Sequence, residues 1–145
     1  MPVPTTPQVI YAVRDRVAWI HLNRPEAMNS MSYELYMELE DAVRYSEARV
    51  LVITGEGRAF CAGADLKAMT TAHPGDSFSG GGWDLSRIDA LLKGRRLSKP
   101  LIAAVEGPAI AGGTEILQGT DIRVAAQSAK FGVSEARWGL FPLGG

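Results

Sequence analysis

Two glutamates, Glu115 and Glu135, stand twenty positions apart in a glycine-rich, largely apolar stretch, EGPAIAGGTEILQGTDIRVAAQSAKFGVSEARWGLFPLGG over residues 106–145. Paired carboxylates in such surroundings can act as a general acid and base, because low polarity pulls their proton affinities apart. The same residues can equally be a helix-start glutamate and a solvated one. A second unusual stretch lies earlier, where Phe60-Cys61-Ala62-Gly63-Ala64-Asp65-Leu66-Lys67 leads small residues into a helix start. Such a turn offers free backbone N–H groups to whatever lies beside it. Cys61 has no accompanying Cys–His signature and reads as a packed thiol. His21 has no second ligand at metal spacing and reads as structural, and His73 as solvated, so no metal site is expected. Gly55-Glu56-Gly57-Arg58-Ala59-Phe60 begins like a dinucleotide fingerprint, but Phe60 replaces its third glycine and Asp65 comes too early for a ribose-binding carboxylate. Gly132-Val133-Ser134-Glu135-Ala136 lacks the second glycine of a nucleophile elbow, which disfavours a serine hydrolase.

The surrounding elements follow from hydrophobic patterning. Residues 9–13 and 17–22, rich in Val, Ile, Tyr and Trp and separated by Arg14-Asp15-Arg16, predict a hairpin that stops before Pro25. From Asn29, Ser30 or Ser32 to about residue 48 the spacing predicts an amphipathic helix, with Leu35, Leu39, Ala42 and Val43 on one face and Glu34 in its first turn. VLVIT over residues 50–54 and LIAAV over residues 101–105 are continuous apolar runs, the pattern of strands buried on both faces. Between them, residues 70–82 predict a mobile glycine-rich loop, and Ile88, Leu91 and Leu92 mark a helix over residues 84–97. Arg95, Arg96 and Lys99 near its end suit the helix dipole, and could instead meet an anionic ligand. A short helix from Gly112 toward Gly119, a strand over residues 121–126 and an extended piece over residues 130–133 complete the order. Alternating helix and buried strand is an α/β layout.

Composition narrows the function classes. The length of 145 residues suits one domain, with residues 1–8 as a disordered lead-in and residues 9–145 as the core. The last residues follow a probable turn, where a domain would more naturally close on an ordered element, so the core reads as incomplete at its C-terminus. Fifteen Lys and Arg against sixteen Asp and Glu give a net charge of −1, and no whole-chain field draws nucleic acid or an anionic membrane. No apolar run has membrane-spanning length. The single cysteine excludes an internal disulfide framework and is compatible with a reducing cytosol.

Read together, four segments resemble the enoyl-CoA hydratase/isomerase family, the crotonase-like fold. They are Asn23-Arg24-Pro25 through Asn29, Ala59 through Leu66, Ala109-Ile110-Ala111-Gly112-Gly113-Thr114-Glu115, and residues 131–139 with Glu135. The resemblance implies an α/β fold of repeated ββα units, here without the C-terminal helical portion. It implies hydration of a 2-trans-enoyl-CoA to a 3-hydroxyacyl-CoA, or the reverse dehydration. Glu115 would activate water and Glu135 would move the C2 proton, while the N–H groups of Ala64 and Gly112 would form an oxyanion hole for the thioester enolate. Arg24, Ala27, Ala62, Ala64, Asp65, Leu66, Lys67 and Gly113 would contact the acyl-CoA thioester. No cofactor is implied, since coenzyme A belongs to the substrate; the full-length protein would be a cytoplasmic homotrimer or dimer of trimers. A double-bond isomerase is the alternative within the family, and a non-catalytic truncated paralogue the alternative outside catalysis. Two further departures from the family pattern are a short link before Val50 and a long glycine-rich loop over residues 70–82.

Overall fold

Val9–Arg14 (β1) and Val17–Leu22 (β2) pair antiparallel, from Val9 opposite Leu22 to Arg14 opposite Val17, in a computed structural model that describes residues 6–71, 97–139 and 141–142. The connecting turn is Asp15-Arg16 alone, with φ of 50° and 66°. Two left-handed residues give the turn a twist that matches the strands, so Arg14 joins β1 instead of the loop. Of the expected lead-in, residues 1–5 lie outside the described residues, whereas Pro7 and Gln8 are tied down. The Asn23 backbone N–H donates to the Gln8 carbonyl at 2.7 Å and its side-chain amide to the Pro7 carbonyl at 3.0 Å.

Parallel strands then extend the sheet. Val50–Gly55 (β3) lies beside β2, Leu101–Val105 (β4) beside β3, and Ile122–Ala125 (β6) beside β4 at the far edge. Three consecutive β3 residues, Leu51, Val52 and Ile53, are buried, so both of its faces are covered as the apolar run predicts. In β4 only Leu101, Ala103 and Val105 are fully buried, while Ile102 and Ala104 on the other face are half-covered. β6 is exposed throughout, with Val124 60% exposed, because it has a strand neighbour on one side only among the described residues. Pro108–Ile110 (β5) and Lys130–Gly132 (β7) form a separate parallel pair.

Tyr33–Arg44 (α1) packs on β1 and β2. Ser32 caps it, accepting the Leu35 N–H at 3.2 Å. Leu35, Tyr36, Leu39 and Val43 are its buried stripe, each stabilising the fold by about 2 kcal/mol. Tyr36 joins the stripe the sequence pattern predicted, and Ala42 packs against the core partly buried. The short link to β3 closes on Ser46. Its hydroxyl accepts from the Tyr11 hydroxyl at 2.8 Å and from the Ala48 N–H at 3.2 Å, and its carbonyl accepts from Lys99. Leu66–Thr71 (α2) and Gly112–Gln118 (α3) are the remaining described α-helices. Residues 70 and 71 thus end α2 instead of opening the loop; the rest of that loop and residues 84–96 of the expected helix lie outside the described residues.

Candidate active site

Two turns meet where β3 leads into α2 and where β5 leads into α3. In the first, Asn29 is wholly buried and has φ 54°, a left-handed conformation that asparagine tolerates better than most residues. Its side-chain oxygen accepts the Arg24 backbone N–H at 2.7 Å, and its side-chain nitrogen donates to the carbonyls of Glu56 at 2.9 Å and Ala59 at 2.8 Å. Instead of capping α1, Asn29 buckles the turn. Farther along, the Met31 N–H donates to the Gly63 carbonyl at 2.8 Å and the Asp65 N–H to the Met31 carbonyl at 3.0 Å. A trans peptide carries its N–H opposite its C=O. The Ala64 N–H therefore points away from Met31, and among the described residues it donates to nothing.

The second turn approaches from the other side. The Ile110 N–H donates to the Cys61 carbonyl at 2.9 Å, and the Cys61 N–H to the Pro108 carbonyl at 3.2 Å. Ala111 precedes α3 with φ 52° and ψ −124°, a conformation that glycine favours. Gly63, at φ 94°, lies against this corner: a Cβ there would fall 3.4 Å from the Gly112 nitrogen and 2.8 Å from the Ala111 Cβ. Gly113 is pressed onto the Cys61 carbonyl, leaving no room for a side chain. The Gly112 N–H, first in α3, donates to no acceptor among the described residues. The structure thus brings Ala64 and Gly112 onto facing turns, each with a free donor.

Glu115 and Glu135 are joined through the backbone. The Ala111 N–H donates to the Gly132 carbonyl at 2.7 Å, the Gly132 N–H to the Thr114 hydroxyl at 3.3 Å, and that hydroxyl also contacts the Ala109 carbonyl. Thr114 immediately precedes Glu115, and Gly132 comes three positions before Glu135. Glu115 is 6% exposed on α3. Glu135 opens a 3-10 turn, Glu135–Trp138, and its Oε2 is buried without a hydrogen-bond partner among the described residues. Leaving a carboxylate oxygen so costs on the order of 1–3 kcal/mol or more, a cost that calls for an explanation in function or strain.

Neighbouring groups set the electrostatics. Burial pushes the Cys61 thiol up to about 12, against smaller pulls from the Gly63 N–H and Arg24, so it is a packed neutral thiol. Burial also raises the Tyr36 phenol, with Cys61 and Glu115 adding to the effect; this places a hydroxyl of α1 in the field of Glu115. Asp65 is pulled both ways. Burial alone would raise its carboxyl, but the Ala68 N–H, the Arg24 guanidinium and the Lys67 N–H together hold it below the usual carboxylate range.

The other expected contact residues gather at the first turn. Ala27 ends the 3-10 turn Pro25–Ala27, and the Ala62 N–H donates to the Met28 carbonyl at 3.0 Å. Leu66 and Lys67 lie on the exposed first turn of α2. Arg24 is linked to Asp65, forty-one positions away, by an ion pair of 2.8 Å. Sequence reasoning missed this pair, the buckle role of Asn29 and the presence of Tyr36. Only Asn29 carried a signal, as an asparagine just after a proline turn. Among the described residues no group of three His, Cys, Asp or Glu could hold a metal ion.

The enoyl-CoA hydratase/isomerase family profile matches residues 13–145. An enoyl-CoA hydratase of Mycobacterium tuberculosis is 56% identical over 147 aligned positions, which take in 99% of this chain and 55% of the relative. A crotonyl-CoA hydratase of Syntrophomonas wolfei is 35% identical over 92% of this chain and 52% of its own length. Among solved structures, an enoyl-CoA hydratase from Mycobacterium tuberculosis superposes with a TM-score of 0.79 at 37% identity, covering 97% of this chain and 54% of that one. An enoyl-CoA hydratase from Mycobacterium marinum gives 0.79 at 38%, over 97% and 54%. The chain spans about half the length of the relatives it matches. Its hairpin-led parallel sheet is that of a crotonase-like α/β fold, and the chain belongs to the enoyl-CoA hydratase/isomerase family.

Proposed function

We propose that the protein carrying this chain adds water to a 2-trans-enoyl-CoA, giving a 3-hydroxyacyl-CoA, and runs the reverse dehydration. The observation that carries this reading is the buried, unpartnered Oε2 of Glu135, on a backbone cross-linked to the residue before Glu115. One carboxylate, Glu115, takes a proton from water as the water oxygen bonds to C3. The C2–C3 π electrons move onto the thioester, and the enolate oxygen accepts from the N–H groups of Ala64 and Gly112. A proton carried by Glu135 goes to C2 as the enolate collapses, and the proton taken by Glu115 returns to Glu135 through solvent, so each turnover adds one water and leaves both carboxyl groups as they began.

The names of the relatives support the substrate class. The acyl-CoA is taken to lie along Ala27, Ala62, Leu66, Lys67 and Gly113, beside the Arg24–Asp65 pair, with no cofactor needed beyond the coenzyme A of the substrate. The full-length protein is taken to be a cytoplasmic homotrimer or dimer of trimers. Exposed Ile122, Val124 and Phe131 support an assembled state, and among the described residues no helix is long and apolar enough to cross a membrane.

The test is hydration of a short enoyl-CoA by wild type, Glu115→Gln and Glu135→Gln. Each amide should lower kcat by at least about a hundredfold with little change in substrate affinity. Equal rates in the three proteins would sink the two-glutamate mechanism. Conversion of a 3-enoyl-CoA to the 2-enoyl form without hydroxyacyl product would make the protein an isomerase.

A further inference from the structure

We infer that Arg24 and Asp65 form a clamp that aims the Ala64 N–H at the thioester oxygen, making both of them positioning residues. The inference rests on the hydration reading above. Both terminal nitrogens of the Arg24 guanidinium are engaged inside the protein. One guanidinium nitrogen donates to Asp65 Oδ2 at 2.8 Å; the other donates to the Ser30 carbonyl and lies 3.4 Å from the Ser30 hydroxyl. The backbone N–H of Arg24 is held by Asn29. The carboxylate is equally committed, because its other oxygen, Oδ1, accepts the Lys67 and Ala68 N–H groups at 3.1 Å each and so caps α2. The Arg24 and Asp65 side chains are 18% and 14% exposed, sheltered enough for the pair to exceed an ordinary surface ion pair.

Position gives the clamp its purpose. Ala64 stands between Gly63, whose φ of 94° gives the peptide few steric restraints of its own, and Asp65, whose backbone N–H is fixed on Met31. The Met31 bridge fixes which way the Gly63–Ala64 peptide faces. It does not fix where α2 starts, and a shift of α2 would tilt the Ala64 N–H with it. Asp65 pins that start to Arg24, on the segment that follows β2. The strand sheet and the helix after the donor are thereby locked together across forty-one positions of sequence.

The experiment separates aiming from binding. A conjugated aryl-enoyl-CoA is titrated into wild type, Arg24→Lys, Asp65→Asn and the double variant; its absorbance red-shifts when its carbonyl is polarised by hydrogen bonds, and the titration also gives Kd. Thermal melts of the same samples monitor folding. Lysine keeps the charge but loses the two-pronged fork, and asparagine keeps the shape but loses the charge. The clamp predicts that each single variant loses most of the red shift and about a hundredfold in kcat, while Kd changes by less than about threefold. The double variant should be no worse than the worse single, as expected for two parts of one unit. Kd weakening by about tenfold or more in Arg24→Lys, with the red shift of the bound ligand intact, would make Arg24 a direct coenzyme contact and overturn the clamp. Multiplicative losses in the double variant would overturn it too. A red shift in wild type without hydroxyacyl product would defeat hydration and leave the clamp standing; no red shift in wild type would defeat the anion hole and the clamp together.

Discussion

The turn over residues 59–66 draws on charged and amide side chains from distant parts of the chain, whereas the turn over residues 107–113 is seated by close backbone contact and by the hydroxyl of the adjoining Thr114. Asn29, Arg24 and Asp65 reach the first from other parts of the chain with directed hydrogen bonds. The second depends on Gly113 pressed against the Cys61 carbonyl and on the Ala111 N–H bonded to Gly132; none of the ion pairs among the described residues reaches it. The two modes of support fail differently. A polar clamp weakens by degrees when one partner changes, and it responds to pH. A steric seat tolerates no added atom and ignores pH. If the two turns carry the two donors of one anion hole, the site joins a tunable half to a rigid half.

The rigid half gives the largest expected effect. In Gly113→Ala the new methyl would lie 2.9 Å from both the Cys61 carbonyl carbon and Cβ, and closer still to its oxygen. Backbone cannot swing aside as a flexible side chain can, so the turns must separate. A loss of about 3 kcal/mol is expected, together with loss of hydration. Urea unfolding measures the first; an unchanged midpoint would mean that the second turn is not seated sterically. Next comes Asn29→Ala, which strips partners from the Glu56 and Ala59 carbonyls and from the Arg24 N–H. It should cost about 2 kcal/mol or more. Asn29→Asp restores only the acceptor, so it should be nearly as unstable as the alanine variant. Recovery of stability by aspartate would show that the two donors do not hold the turn.

The contrast also explains what was legible beforehand. β3, with VLVIT, and the Ser32-capped α1 announced themselves by local pattern, because burial on two faces and helix capping act within a few residues. Glu115 and Glu135 were visible as types, but the link between their segments depends on β5 pairing with β7 and on Thr114 meeting Gly132, eighteen positions away. No local periodicity encodes such a pairing. The same holds for Arg24 and Asp65, and their clamp contributes no hydrophobic signal at all. The β6 exposure could not be read either, since an apolar alternation such as Ile122 and Val124 has the same spelling whether or not anything covers it.

A pH series sharpens the polar half. Asp65 is held below the usual carboxylate range in the folded protein, so the native state binds fewer protons there than the unfolded chain. Its contribution is fully present above the unfolded value of about 3.9 and is lost as pH falls through the lower folded value. Wild type should therefore lose more stability than Asp65→Asn as pH drops below about 4, and the two should run parallel above about 5. Parallel curves throughout would mean that the charge of Asp65 does not hold the first turn.

The smallest effect probes a detail of the rigid half. Ala111 holds φ 52° and ψ −124° without being glycine, a strain of about 1–3 kcal/mol for a residue with a Cβ. Ala111→Gly removes that strain. It also frees the unfolded chain by about 0.4–1 kcal/mol and loses the methyl that lies over Gly63, worth up to about 0.8 kcal/mol. These opposing effects leave a net change between a loss of about 1 kcal/mol and a gain of about 2.5 kcal/mol, with stabilisation favoured. Hydration should stay within about threefold of wild type, because the Gly112 N–H is aimed by the Gly113 seat and the Gly132 bond, neither of which the substitution touches. A tenfold or greater fall in kcat at unchanged stability would place the aiming in the Ala111 side chain. In that event the second turn, like the first, would owe its donor to a side chain, and the contrast between the two halves would no longer hold.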